Sequence, residues 1–347
     1  MADHLLIRAA FRQPVERTPV WMMRQAGRYL PEYRAVREKA DFLTMCKTPE
    51  LAAEVSLQPL ELVDVDAVIF FSDILTMLEP MGLELTFGKG EGPRFPNPVR
   101  TAADIDRLSV IDPADGLAFV GDTLRLCRER IGGRVPLLGF TGAPYTLATY
   151  AVEGCTGKNF HHIKQWYYRE PETLHRLLAK IADQVTVYLN YQIENGAQAV
   201  QLFDTWAGAL SPADYREIAA PYTRQVIEGL HRDGVPVILY INGGGHLLDT
   251  MATLGADVLS LDWRTDMAEA KQRYGATHCL QGNLDPCALY GTEQRIRQEV
   301  QRILDAAGPV GHIFNLGHGI LPDVPIDNAR AFVRAVKELG IHKGIRG

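Results

Sequence analysis

Cysteine is scarce and scattered in this chain. The five thiols, Cys46, Cys127, Cys155, Cys279 and Cys287, are odd in number and widely spaced. That argues against a disulfide framework and for a reducing, cytoplasmic compartment. Long apolar runs are missing as well, and none reaches membrane-spanning length. Basic charge is not in excess: the formal net charge is −6 and no Lys/Arg run occurs, so nucleic acid is not the expected partner. The opening Met1–Arg12 lacks the apolar core of a secretory signal and is expected not to be one. Absent too are a P-loop, His-Glu-x-x-His, Cys-x-x-Cys, Gly-x-Ser-x-Gly and a Gly-x-Gly-x-x-Gly turn after an early strand. Cys279 has His278 beside it, but the next thiol, Cys287, is eight residues on, whereas thiolate zinc sites need clustered ligands. The expected chemistry therefore uses no metal and no covalent intermediate.

What is present is the composition of a soluble globular protein with a large core. Hydrophobic residues make up 46% of the 347 and charged residues 22%, as in an ordinary globular protein. No linker or shift in composition divides the chain, so a single domain over 1–347 is expected. Eight short runs rich in Val, Ile, Leu or Phe recur: 19–23, 67–71, 135–140, 199–203, 236–241, 258–261, 278–281 and 312–315. Each is bounded by Gly, Pro or Asp, and nearly continuous apolar runs suit parallel strands buried on both faces. Helical patterns fill the gaps. Thr48-Pro49-Glu50, Ser211-Pro212 and Thr292-Glu293 open helices, a long amphipathic stretch covers 171–195, and 327–339 is the last. Eight alternations predict an α/β fold, a (β/α)₈ barrel with its cleft at the C-terminal ends of the strands. A doubly wound sheet is the competitor. Residues 83–95 are extra and read as a hairpin beside the barrel.

Polar residues gather where each run ends. Arg24, Arg28, Arg34 and Arg37 put four guanidinium groups into fourteen residues, with only Glu32 among them. Guanidinium pairs bidentately with carboxylate or phosphate, so this points to a small, multiply anionic ligand. Ser72-Asp73, Thr141–Tyr145 with Tyr150 beyond, Asp204–Gly208, Asn242–His246, Asp262-Trp263, Gly282–Pro286 and Leu316–Gly319 follow the other runs. Eight such endings in register predict one shared site. Bland readings compete with this one. Asp73 can simply cap the next helix, and Arg24 and Arg28 can be structural ion-pair partners. His318 lies between two glycines, which allow close backbone approach to a ligand, and histidine transfers protons near neutral pH. His161 and His162 are adjacent, so on a helix they point apart and read as surface residues rather than a metal pair.

These motifs resemble the uroporphyrinogen decarboxylase family. The resemblance runs through Thr18–Tyr33, Phe71–Leu75, Gly139–Thr146, Gln201–Asp204, Gln281–Pro286 and Asn315–Gly319, in order and over nearly the whole chain. It implies a (β/α)₈ homodimer that acts without cofactor. The implied substrate is uroporphyrinogen, a flexible ring of four pyrroles with eight carboxylates, whose four acetates lose CO₂ to become methyls. On this resemblance Arg24, Arg28 and Arg37 bind side-chain carboxylates, and Asp73 accepts the pyrrole N–H groups. Tyr150, Thr205 and His318 fall at pocket positions. Many members carry Ser where this chain has Thr205. Arg24, Asp73 and His318 are the catalytic candidates, and the proton donor is open between Arg24, His318 and water. Two readings compete: a fold-related corrinoid-linked methyltransferase, which would need a zinc–thiolate site, and a non-catalytic tetrapyrrole carrier, which would have no use for Asp73 or His318.

Overall fold

The computed structural model describes residues 4–88, 92–157 and 159–342. Residues 1–3 and 343–347 of the expected domain, and 89–91 within the expected hairpin, lie outside the described residues. Nine short strands occur among the described residues: β1 Val68–Ile69, β2 Thr86–Phe87, β3 Pro93–Arg94, β4 Leu137–Gly142, β5 Ala199–Phe203, β6 Val237–Tyr240, β7 Val258–Ser260, β8 Cys279–Gln281 and β9 His312–Ile313. β2 and β3 form the antiparallel hairpin expected over 83–95. The other seven form one sheet in the order β1-β4-β5-β6-β7-β8-β9, every pair parallel.

Seven of the eight expected runs are thus strands. The first, 19–23, is extended but makes only a single parallel bridge, Val20 to Phe314. It nevertheless links the two edges of the sheet. Phe314 N–H donates to Pro19 O at 2.8 Å, Trp21 N–H to Phe314 O at 3.2 Å, and Asp66 N–H to Val20 O at 2.7 Å. The physical reason for the short ladder is local. Pro19 has no N–H to donate, and Val20 N–H is taken by the side chain of Asp66 at 2.8 Å.

Helices cover the outer face. Pro171–Glu194 shows how: its buried residues Leu174, Leu177, Leu178, Ile181, Val185, Tyr188 and Leu189 recur at three- and four-residue spacing, one stripe against the strands. Pro59 lies inside the helix Pro49–Val63, and Asp64 ends that helix in a left-handed conformation. No helix among the described residues is long and apolar enough to cross a membrane.

Inside the sheet, polar side chains tie distant strands together. Gln281 accepts from Trp21 Nε1 at 2.9 Å and donates to Gln201 Oε1 at 3.1 Å and Ser260 Oγ at 2.9 Å. Gln201 and Gln281 are fully buried. A buried amide must be satisfied or it costs roughly 1–3 kcal/mol, so this network fixes the register of four segments at once. It forms a floor beneath the strand ends.

A second clasp holds the linking segment. Asp66 receives both Nη groups of Arg17, at 2.6 and 2.7 Å, besides the Val20 N–H. Replacing Asp66 by Ala strands a half-buried guanidinium and a buried N–H. We expect a loss of about 3 kcal/mol, measured as a lower urea midpoint at unchanged slope.

Candidate active site

The turn that follows the linking segment departs from ordinary backbone. Gln25 has φ 44°, Ala26 φ 68° and Gly27 φ 106°. Left-handed values are costly for the two non-glycine residues, and such strain collects at functional sites. The turn folds the chain back over Arg24. Arg24 is buried; it donates Nη1 to Ala26 O at 3.0 Å and Nη2 to Ile69 O at 3.2 Å, while its Nε has no partner. Its guanidinium carbon lies 5.1 Å from the centroid of Phe71. Burial pushes its pKa down to about 10, so it remains a cation at neutral pH.

Arg24 lines a cavity of about 330 Å³ at the C-terminal ends of the strands. The wall is mostly apolar: Met23, Phe70, Phe140, Phe203 and Tyr240, with Pro93 contributed by the hairpin. Asp73, Tyr150, Thr205 and His318 line it as well. Five of the seven site residues expected from sequence therefore meet in one space.

Asp73 does cap a turn, as the bland reading held, but with one oxygen only. Oδ1 accepts Leu75 N–H at 2.8 Å. The other oxygen has no hydrogen bond, and the carboxylate no ion pair, among the described residues. Burial pushes Asp73 up to about 6, partly offset by the Leu75 hydrogen bond. Tyr150 packs on Trp206 at 5.7 Å. Its own burial, and then Asp73, push its phenol up, so it stays protonated.

His318 accepts Gly319 N–H on Nδ1 at 2.6 Å. A neutral ring in this setting carries its proton on Nε2. Burial and Arg264 push His318 down, against a smaller opposing effect of Asp262, so it is a neutral donor near pH 7. Its neighbouring glycines pack tightly against other loops. A Cβ at Gly317 would come 2.3 Å from Trp263 N, and one at Gly319 would come 2.2 Å from Gln25 Cγ. The His318 loop is wedged between two other loops, and that wedge sets the imidazole.

Arg28 and Arg37 do not line the cavity; both are exposed. Arg28 donates to Gln25 Oε1 at 3.3 Å and Arg37 to Ala40 O at 2.9 Å. They still belong to one neighbourhood, because Arg24, Arg37 and Arg28 all pull down the phenol of buried Tyr33, whose pKa its own burial raises. None of Arg24, Arg28, Arg34 and Arg37 makes an ion pair with a described residue, although Arg17 nearby is paired. The structural ion-pair reading of Arg24 and Arg28 thus finds no partner.

One expectation needs correcting. Eight strand endings do not build one site. Trp263, Asn283, Leu284 and Asp285 line a separate cavity of about 580 Å³. Gly317 packs closely on the Trp263 backbone between the two loops concerned. The large aromatic wall was also missed by sequence reasoning, though its signal was there: Phe70, Phe140, Phe203 and Tyr240 all stand at or near strand ends.

Fold and site together define a class: a parallel α/β protein with a mostly apolar cavity at its strand ends, lined by one unpaired carboxylate and one unpaired guanidinium. Comparison with known proteins narrows this. A model of the family described as uroporphyrinogen decarboxylase (URO-D) matches residues 1–339. Uroporphyrinogen decarboxylase from Nitrosococcus oceani is 54% identical over 341 residues, covering 96% of each chain. That from Sodalis glossinidius is 56% identical over 339 residues, again covering 96% of each. A methyltransferase from Methanosarcina mazei superposes with a TM-score of 0.80 at 22% identity, covering 96% of this chain and 97% of its own; that likeness concerns the fold alone. The chain belongs to the uroporphyrinogen decarboxylase family.

The raised carboxylate carries a stability consequence. Folding moves Asp73 from the ordinary 3.8 to about 6, so between those values the folded chain binds a proton that the unfolded chain does not. Stability from this group therefore falls as pH rises through that window, and the full penalty stands at pH 7. Asp73→Asn should raise stability by about 2–3 kcal/mol at pH 7 and leave it unchanged at pH 3.5. Urea melts at the two pH values check this.

Proposed function

We propose that the cavity removes CO₂ from the acetate side chains of uroporphyrinogen, the reaction for which the family is named, giving methyl groups and coproporphyrinogen. One observation carries the reading: a single apolar cavity holds a carboxylate and a guanidinium that are each bonded to no opposite charge. A flexible tetrapyrrole supplies what both lack, with N–H donors at its centre and carboxylates on its rim. Asp73 receives the pyrrole N–H groups, since a carboxylate has about four lone-pair sites. Arg24, Arg28 and Arg37 take the acetate and propionate groups. Tyr150, Thr205 and His318 complete the pocket. We extend the same proposal to the frame around it: the linking segment 19–23 is the eighth member of a closed (β/α)₈ barrel, the chain is one domain, and the working form is a cytoplasmic homodimer.

The chemistry needs an electron sink, and the substrate contains one. A proton added to the pyrrole α-carbon beside the acetate-bearing carbon makes the ring cationic. The C–C bond electrons flow into that ring as CO₂ leaves. The exocyclic methylene then takes a proton to become methyl, and the α-carbon proton departs. Ionised Asp73 in a water-poor space stabilises the ring cation more than the neutral ground state. Arg24, though drawn down to about 10, remains the cation that positions the reacting carboxylate. His318 faces the same cavity as a neutral Nε2–H donor.

None of the five cysteines lines this cavity, which gives the zinc–thiolate methyltransferase reading no support. The carrier reading is tested by turnover. Metal-stripped protein incubated anaerobically with uroporphyrinogen III should yield products with seven, six, five and four carboxylates. Binding without CO₂ loss would make it a carrier, and neither binding nor reaction would defeat the proposal. Asp73→Asn should lower kcat by roughly 10²–10³ while gaining stability. For the wild type, activity should fall as pH drops through about 6, where Asp73 takes up its proton. His318→Gln with an unchanged pH–rate profile would exclude histidine as the titrating acid.

A further inference from the structure

Outside the cavity, one set of three side chains among the described residues brings metal-ligating atoms together. Glu153, His161 and His162 each offer one such atom, all within 4.8 Å of one another. The expectation that the adjacent histidines diverge is not met, since their ring centroids lie 3.9 Å apart. They are the first two residues of the helix His161–Arg169, entered through left-handed Phe160. No preceding helical turn blocks the rotamers that fold both rings to one side.

Glu153 is held in place by the same helix start. Its Oε1 accepts the N–H groups of His162 at 2.9 Å and Ile163 at 3.0 Å. Those bonds use one oxygen and fix the direction of the other. Arg100, which donates to Glu153 O at 3.3 Å, lies beside His162.

We propose that Glu153, His161 and His162 form a binding site for a borderline divalent cation of the zinc type. Two imidazoles and one carboxylate are a complete three-ligand protein set for such an ion, with the fourth position left to water. Bond lengths of about 2.0–2.2 Å require neighbouring ligand atoms about 3.4 Å apart. His161 is exposed and His162 and Glu153 are half-buried, so side-chain rotation alone brings the atoms together. The site lies against the reaction cavity without entering it. Tyr150, one turn before Glu153, lines the cavity, and Phe160, next to His161, packs on Trp206 at 5.0 Å. A bound ion would therefore staple two helices at the cavity's rim, one on each side of Trp206.

The test is calorimetric titration of metal-stripped full-length protein with Zn²⁺, followed by Co²⁺ absorption spectra. The wild type and Cys155→Ser should each bind one equivalent. The double variant His161→Gln/His162→Gln should lose it, and Glu153→Gln should weaken it by about tenfold or more. Co²⁺ should show visible bands without thiolate charge transfer. No binding, binding that survives the double histidine variant, or binding abolished by Cys155→Ser with a thiolate band present would each overturn the proposal. None of these residues lines the reaction cavity, so the result is independent of the decarboxylase reading.

Discussion

Two opposite charges set in one cavity and not joined to each other are the constraint on which this protein is built. Asp73 is raised to about 6 and Arg24 lowered to about 10 by loss of water. Direct pairing would relieve both, and no ion pair between them forms. The surrounding architecture prevents it. Leu75 N–H holds one oxygen of Asp73, while Ala26 O and Ile69 O hold the guanidinium. The left-handed turn at Gln25 and Ala26 places one of those acceptors. Strain and burial are sustained by the packing of the whole sheet, and their return is a cavity already arranged for a ligand with acidic N–H groups and carboxylates.

The sheet supplies the rigidity this requires. Parallel strands place all their C-terminal ends on one side, so residues far apart in sequence meet there. The amide network of Gln201 and Gln281 fixes strand register beneath the cavity. Above it, loops are held by contacts that tolerate no side chain, as at Gly317 against Trp263 and Gly208 against Asn242 O, where a Cβ would come within 2.0 Å. Buried Asp204, whose Oδ1 accepts the Thr146 hydroxyl at 2.7 Å, is pushed up to about 7 by burial; that hydroxyl also accepts Trp206 N–H at 3.1 Å. The turn that carries Thr205 is thereby anchored to the helix that carries Tyr150.

Much of this was legible in the chain. The apolar runs marked seven strands to within a few residues, because strands buried on both faces need near-continuous hydrophobicity. Arg24, Asp73 and His318 were named because they follow such runs closely, and Tyr150 and Thr205 were given pocket roles by the family resemblance. The single-site expectation for all eight endings failed, since Trp263, Asn283, Leu284 and Asp285 line a second cavity and spacing does not reveal how the loops divide. His161 and His162 were read as divergent from the helical period alone, and the first turn of a helix does not obey that limit.

The sequence by itself determined the periodicity, hence the parallel α/β order, and the unusual density of arginine after the first apolar run. It determined that a carboxylate would sit behind Phe70 and Phe71. Only the tertiary structure decided that the carboxylate keeps a free oxygen, that Arg24 finds no counter-charge while Arg28 and Arg37 stay outside the cavity, and that a second cavity forms under other strand ends. Spacing along a chain fixes which residue types are near one another locally. Burial, and with it the strength of every charge, depends on atoms brought from other strands.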